Sequence, residues 1–560
     1  MRQANRRIRL IVAVFALVFA AAIVRVAWLQ AVKAQALDDL ATSQHRETLT
    51  VPAHRGTIFD RTGVQLAVGE RATTVYANPR QIVNARDAAI AVGHTLGLDP
   101  GKLYPLLTDR SRGFVYLERK ADPDLAKELQ RKEIVGLGFY PEERRAYPQR
   151  DVAAEVVGFA GTDNRGLTGL ELGLNEVLSG KDGSKTIVRD PFGRRLETIA
   201  SVPVRDGRDV YLTIDHTIQG QVERVLRETL GEWGGKAATA VVMDARTGGI
   251  LALGVEPGFD ANVVPQVSRD RVRNRAVTDT YEPGSTFKVV TLAGVLEEGL
   301  VTPRTTYTLP YEIQIADRVI HDATPRETET MTVSDILTRS SNVGVITLAS
   351  ELRKENLARW TERFGFGRPT GVDYPGETNG IVIPPEDWSG STIGNVPLGQ
   401  GIAVTPMQMV AAYGAIANGG TWLRPHLVER VEGDQAKKPV TRRVIEKRTA
   451  RQLTRMLRGV VREGSGAAAQ VSGYHVAGKT GTAAKAEPSG GYSKSRYLAS
   501  FVGFAPATDP RIVVLVTVDE PKRTIWGGTV AAPAFAEIAG FALQYLEVPP
   551  DAPATTETDG

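Results

Sequence analysis

At 560 residues the chain is longer than one hydrophobic core supports, and about 150 residues per domain gives three or four units. Lys and Arg total 68 against 64 Asp and Glu, and Arg2, Arg6, Arg7 and Arg9 hold the whole surplus, so the body is neutral. A neutral body with no basic stripe releases few counterions from a phosphate backbone, which sets nucleic acid aside as a partner.

An apolar share of 42% beside 24% charge belongs to a folded chain, not a disordered one. The absence of Cys removes disulfides, thiolate nucleophiles and Cys metal sites together. Seven His residues (45, 54, 94, 216, 321, 426, 475) include no H-E-x-x-H or comparably close pair, so they read as structural and no metal site is expected.

Leu10 to Val24 carries no charge, and continuing through Arg25 to Leu29 gives about 20 residues, enough to cross ~30 Å of hydrocarbon with Arg25 snorkelling to the outer headgroups and Trp28 beside it. The preceding arginines place the N-terminus in the cytoplasm and the rest outside. A cleaved signal peptide is the competing reading, because Ala20, Ala21 and Ala22 suit a processing site; apolar character resuming through Leu29 favours an uncleaved anchor. No second apolar run of spanning length follows.

From residue 30 to about 205, short alternating segments (Thr48 to Val51, Thr73 to Tyr76) mix with helical stretches such as Ala121 to Lys132, an irregular α+β pattern. Ser201 to Val210 reads as a connector, Tyr211 to Asp215 as a strand and Ile218 to Leu230 as an amphipathic helix. Thr239 to Asp244 and Gly249 to Val255 form a predicted hairpin, and Ser500 to Pro506 with Arg511 to Val518 a second one far downstream. Helices are expected at Thr286 to Glu298, Val333 to Ser350, Pro406 to Ala417 and Ala532 to Leu546. Strands at both ends of a block with helices between predict one antiparallel sheet built from chain-distant strands and covered by helices. The tail from Val548 to Gly560, rich in Pro, Ala, Thr and acid, reads as disordered.

Three short motifs carry chemistry. In Tyr281-Glu282-Pro283-Gly284-Ser285-Thr286-Phe287-Lys288, Pro-Gly precedes an apolar helical run, so Ser285 lies near a helix N-terminus, where free N–H groups favour an alkoxide, with Lys288 one turn on. An apolar helix makes the ammonium costly, and a neutral amine is a competent base for a serine hydroxyl. Ser340-Ser341-Asn342 interrupts a helix-like stretch. His475 to Thr482 reads as a strand bearing Lys479-Thr480-Gly481-Thr482: a cation, hydroxyls, and a glycine that blocks nothing. Ser-x-x-Lys arises about twice by chance in this length, but Lys-Thr-Gly only ~0.2 times.

Ser-x-x-Lys, Ser-x-Asn and Lys-Thr-Gly in that order are the set of β-lactamases and penicillin-binding proteins. The chain resembles a class B penicillin-binding protein. Arg55 to Gly63 resembles the family's pedestal signature, with Thr62 where Asn is commoner; Gly169-Leu170-Glu171 resembles another pedestal motif, and Leu212 to Asp215 with Ile218 and Gln219 the entry to the transpeptidase domain. Asn274-Arg275-Ala276 followed by Tyr281 to Lys288 is closer to the division type than to the elongation type. The likeness covers roughly residues 10 to 546.

The resemblance implies an α+β protein: a cytoplasmic tail (1–9), one transmembrane helix (10–29), an irregular pedestal of the dimerisation type (30–205), a transpeptidase domain (210–546) with an antiparallel sheet covered by helices, and a disordered tail (547–560). It implies a serine D,D-transpeptidase of septal wall synthesis that cross-links peptidoglycan stem peptides and binds β-lactams covalently. Ser285 would be the nucleophile, Lys288 its base, Ser340 the relay to the leaving D-alanine, and Lys479 a source of positive field. Asn342 would bind the substrate amide, Thr480, Gly481 and Thr482 the terminal carboxylate, and the N–H groups of Ser285 and Thr482 the oxyanion; Gly399-Gln400-Gly401 would line the cleft. No cofactor is implied. The expected partners are the cytoplasmic membrane, a membrane peptidoglycan polymerase and other division proteins. An elongation-type enzyme, and a β-lactamase or β-lactam sensor, are the alternatives.

Overall fold

The computed structural model describes residues 2–31, 46–189, 195–263, 268–435, 438–487 and 490–552. The chain divides into two compact units, Met1–His54 with Gly180–Gly207, and Arg55–Ser179 with Arg208–Gly560.

The first unit contains helix α1 (Arg2–Ala31), which begins at Arg2 rather than Leu10. Its Asn5–Ala31 stretch is long and apolar enough to cross a membrane, and none of it is buried. The Arg25 guanidinium lies 5.2 Å from the Trp28 ring, a cation–π separation. The unit also contains a three-stranded antiparallel sheet, Arg46–Val51 on Gly183–Arg189 on Arg195–Val202. Ser201 and Val202 therefore end a strand, where a connector was expected.

In the second unit the predicted hairpins meet in one antiparallel sheet. Its strands are β1 (Ala237–Asp244), β2 (Ile250–Glu256), β3 (Ala477–Ala486), β4 (Tyr492–Ala505) and β5 (Ile512–Asp519), in the order β2-β1-β5-β4-β3. Every residue of β2 and all but the last of β1 and β5 are buried, because helices cover both faces. On one face Val242, Val514 and Val516 meet α2 (His216–Trp233) and a C-terminal helix over Ala532–Tyr545. On the other, Val241, Met243 and Leu515 meet α3 (Lys288–Glu297) and, further along the chain, Pro406–Ala417. The strand β3 is left at the open edge, with alternate backbone groups unpaired by the sheet.

The Leu212 to Asp215 motif divides its duties. Val210–Leu212 joins a different sheet, parallel to Ile58–Phe59 and antiparallel to Val428–Val431, while Asp215 caps α2 by accepting from the Thr217 and Ile218 N–H groups. Two pedestal motifs noticed separately are partners. Arg55 Nε donates to Glu171 Oε2 at 2.7 Å and Arg145 Nε to Glu171 Oε1 at 2.6 Å, with all three residues buried. Thr62 donates its hydroxyl to Asp60, whose carboxylate also meets His216 Nδ1 at 2.7 Å. Burial opposes charge on Asp60, but hydrogen bonds from His216, Val64 and Thr62 outweigh it and hold its pKa down.

Five expectations need correction. The helix expected at Ala121 to Lys132 is Pro123–Gln130, because Asp122 caps it, Pro123 starts it, and Ala121 ends a strand. The helix expected at Thr286 to Glu298 opens as a 3₁₀ turn, Gly284–Phe287, before α3. Val333 to Ser350 is two helices, α4 (Val333–Thr338) and α5 (Asn342–Leu352), broken where Ser340 adopts φ +59°. The tail is anchored at its start: Val548 is buried, and the Asp551 carboxylate accepts from the His475 N–H and the Thr508 hydroxyl. Residues 553–560, the rest of that expectation, lie outside the described residues. Finally, a basic stripe exists after all, on the helix Lys447–Arg462.

Candidate active site

The Ser285 segment is held from behind. Gly284, at φ +57°, donates its N–H to Gly399 O at 3.1 Å, Gly401 N–H donates to Glu282 Oε1 at 2.9 Å, and the Tyr413 hydroxyl donates to Thr286 O at 2.9 Å. A Cβ on Gly399 would stand 2.3 Å from Gly284 O. The Gly399-Gln400-Gly401 segment thus seats the serine's backbone. Ser285 is half-buried on the 3₁₀ turn, and its hydroxyl has no hydrogen-bond partner among the described residues. Lys288 is the first residue of α3, its N–H bonded to Ser285 O.

The Lys288 side chain is fully buried. Its Nζ donates to Ser340 O at 2.6 Å and to Asn342 Oδ1 at 2.8 Å, and lies 3.3 Å from Ser340 Oγ. The α4–α5 break makes this possible, because Ser340's left-handed backbone turns its carbonyl and hydroxyl to the lysine. Asp322 stabilises the turn: it accepts from the Ser341 hydroxyl and from the N–H groups of Asn342 and Val343 at the start of α5. Asn342 Nδ2 donates to His321 O at 3.0 Å, which leaves one N–H and one lone pair of the amide free.

Lys479 is also fully buried, on β3 opposite Val502. Burial lowers its pKa to about 7. Burial, and then the charge of Lys479, push Lys288 well below the ordinary lysine value against a smaller pull from Asp322. Gly481 is next on the same face. The place of its Cβ is taken by Ser500 Oγ and Pro283 O, at 2.3 and 2.9 Å, so the missing side chain admits the Pro283–Ser285 segment. Thr480 and Thr482 line a cavity of about 370 Å³ walled by Ser465 and by Trp526 to Gly528, and Lys479 Nζ reaches Thr480, donating to its Oγ1 at 3.4 Å and to its carbonyl oxygen at 3.3 Å. There Thr480 Oγ1 lies 2.6 Å from Ser465 Oγ, and Thr482 Oγ1 accepts from the Gly527 N–H.

The structure therefore brings Lys288, Ser340 and Asn342 into direct contact, sets Ser285 one turn away and Lys479 within electrostatic reach of Lys288, and links Lys479 by hydrogen bond to Thr480, which lines a cavity together with Thr482. Asp322, Tyr413, Ser465 and Gly527 escaped the sequence reading, because each reaches the site through a tertiary contact that no local pattern announces. Among the described residues, one cluster has the spacing of metal ligands, Asp60, Asp215 and His216. It lies in the pedestal motif's hydrogen-bond network, away from these side chains.

Residues 238–540 match the family of the penicillin binding protein transpeptidase domain, and residues 50–212 that of the penicillin-binding protein dimerisation domain. Stage V sporulation protein D of Bacillus subtilis is 36% identical over 543 residues, 94% of this chain and 83% of that protein. Peptidoglycan D,D-transpeptidase FtsI of Escherichia coli is 31% identical over 538 residues, 94% of this chain and 90% of that one. The crystal structure of penicillin binding protein 3 of Mycobacterium tuberculosis complexed with aztreonam aligns with a TM-score of 0.71 at 31% identity, covering 90% of this chain and 99% of that one. With an N-terminal apolar helix, a dimerisation-type pedestal and the three motifs converging on one cleft of a transpeptidase domain, the chain belongs to the class B penicillin-binding proteins.

Proposed function

We propose that the protein is a serine D,D-transpeptidase that cross-links peptidoglycan stem peptides through an acyl-enzyme on Ser285, during septal wall synthesis. Ser285 Oγ attacks the carbonyl between the two terminal D-alanines of a donor stem, and its proton passes to the neutral Lys288 amine. The carbonyl–nitrogen bond breaks, and the leaving D-alanine amine takes a proton through Ser340. An acceptor amine then attacks the ester, forming the new peptide bond and releasing Ser285. Asn342's free amide N–H meets the donor's backbone, Lys479 with the Thr480 and Thr482 hydroxyls meets the terminal carboxylate, and the N–H groups of Ser285 and Thr482 receive the oxyanion. β-Lactams acylate the same serine.

The observation that carries this reading is the pair of fully buried lysines around the serine segment, one of them bonded to Ser340 and Asn342. Burial makes the uncharged amine the favoured form. The septal assignment is supported by Tyr281-Glu282 ahead of Pro-Gly-Ser and by the similarity to FtsI. We assign residues 1–9 to the cytoplasm, 10–29 to a single-pass anchor, 30–205 to the pedestal and 210–546 to catalysis outside the membrane, with glycan polymerisation supplied by a membrane partner. The test is mass spectrometry of the protein mixed with penicillin. A persistent adduct on the wild type and none on Ser285→Ala is expected; an adduct surviving on Ser285→Ala would sink the assignment, and a fleeting adduct with rapid antibiotic loss would indicate a β-lactamase.

A further inference from the structure

The helix Lys447–Arg462 carries a surface that the catalytic reading does not use. Its buried side is Leu453, Met456, Leu457, Val460 and Val461. Its outer side presents Lys447, Arg448, Arg451, Arg455, Arg458 and Arg462. At 100° per residue these six cations fall within an arc of about 100°, and at 1.5 Å per residue they form a row of about 22 Å. Arg462 is paired with Glu463; the other five have no ion pair among the described residues. Some surface arginines elsewhere, Arg224, Arg246 and Arg359 among them, are neutralised by carboxylates; along this row only the terminal Arg462 is. In a body whose charges balance overall, this is a local concentration of positive field.

The row leads to the active site. A Cβ on Gly464 would stand 2.4 Å from Thr338 O, so the end of this helix rests against the turn that carries Ser340. Ser465, just beyond it, bonds Thr480 and walls the cavity on which Thr480 and Thr482 open. The ligand must be anionic and extended. The helix's apolar side is already buried in the core, so this helix has no apolar face with which to enter a bilayer. No aromatic side chain interrupts the row, so there is no platform for stacked bases. A glycan strand bearing stem peptides, each with free carboxylates, supplies repeated negative charge along a line and ends in the carboxyl group that the cleft receives. We propose that this face of the helix is a docking surface for the uncross-linked, anionic peptidoglycan strand, aligning it so that a stem peptide enters the cleft. The proposal rests on the transpeptidase reading of that cleft.

The experiment uses full-length protein in detergent, with the triple variant Arg448→Glu, Arg451→Glu, Arg455→Glu, which leaves Arg458 and Arg462 in place. Two readouts are taken: binding of soluble, fluorescently labelled, uncross-linked peptidoglycan strands, read by anisotropy at about 50 mM and about 500 mM salt, and the rate of acylation by a fluorescent penicillin. Expected is at least a tenfold loss of peptidoglycan affinity at low salt, shrinking towards parity at high salt as the Debye length falls, with acylation within twofold of wild type. Unchanged affinity at low salt overturns the proposal, and so does a loss confined to anionic lipid vesicles or to an acidic protein. If the charge-reversed protein melts early, the same three positions as Gln decide by the same criteria. Failure of the catalytic reading would show separately, as acylation that survives Ser285→Ala.

Discussion

Gly399 and Gly401 offer a matched pair for testing whether the Gly399-Gln400-Gly401 segment seats the nucleophile. Both adopt left-handed backbone, φ +72° and +71°, so an alanine at either position incurs the same conformational cost of about 1–2 kcal/mol. Their surroundings differ completely. A Cβ at 401 meets nothing within 4 Å, whereas one at 399 would lie 2.3 Å from Gly284 O and 2.6 Å from Gly284 N. Ordinary contact needs at least 3.4 Å, so Gly399→Ala must drive the Gly284–Ser285 backbone about 1 Å away. A misplacement of ~1 Å at a reacting group costs on the order of 100-fold in rate, or about 2.7 kcal/mol of barrier. The second-order rate of acylation by a fluorescent penicillin should therefore fall about 100-fold in Gly399→Ala and less than tenfold in Gly401→Ala, with comparable melting temperatures. Equal rates for the two variants would refute the seating role.

Two further outcomes concern stability. Glu223, on α2, is buried beside Glu155, whose Oε1 has no hydrogen-bond partner; burial raises Glu223 to about 8 against hydrogen bonds from Gln219 and the Ala153 N–H. A raised carboxyl keeps its proton in the folded state, so its contribution is intact below about 4.5 and declines as pH rises towards 8, by roughly 1.4 kcal/mol per pH unit for each extra proton held. Glu223→Gln should gain on the wild type in urea midpoint between pH 5 and pH 8; a constant difference across that range would contradict the burial argument. Glu171→Gln leaves Arg55 and Arg145 buried without a counter-charge and should cost about 3 kcal/mol at any pH near neutrality, read as an earlier melt, and an unchanged melt would show that the three-residue network contributes nothing.

Much of the site was legible because its residues are local words. Ser285 and Lys288 stand one turn apart, Ser340 and Asn342 flank a helix break, and Lys479 to Thr482 share one strand. The sheet was legible too, since its strands are continuous apolar runs punctuated by turns. What escaped has a common cause, dependence on partners distant in sequence. Ser340's left-handed backbone cannot be seen in a stretch whose apolar spacing continues through it. Asp322 follows the inner of two small antiparallel strand pairs, Thr306–Leu309 with Glu329–Thr332 and Glu312–Ile315 with Arg318–His321, in a stretch between two expected helices to which no element was assigned. The basic row was invisible to a tally of charges, because total balance says nothing about which face of a helix holds them; spacing of three and four residues from Arg448 to Arg462 was the available signal.

The two buried lysines make the cleft responsive to what enters it. Lys479, with a pKa near 7, is only partly protonated at neutral pH, and its charge is one of the forces that disfavour charge on Lys288. A carboxylate arriving beside Lys479 favours protonation there, and the added charge drives the remaining proton from Lys288. Under the proposed mechanism, the amine that takes the proton of Ser285 is thus released by the far end of the substrate. By reciprocity, a ligand lacking that carboxylate forfeits more than an ion pair: it leaves the base less ready, so its penalty appears in the rate of acylation as well as in affinity.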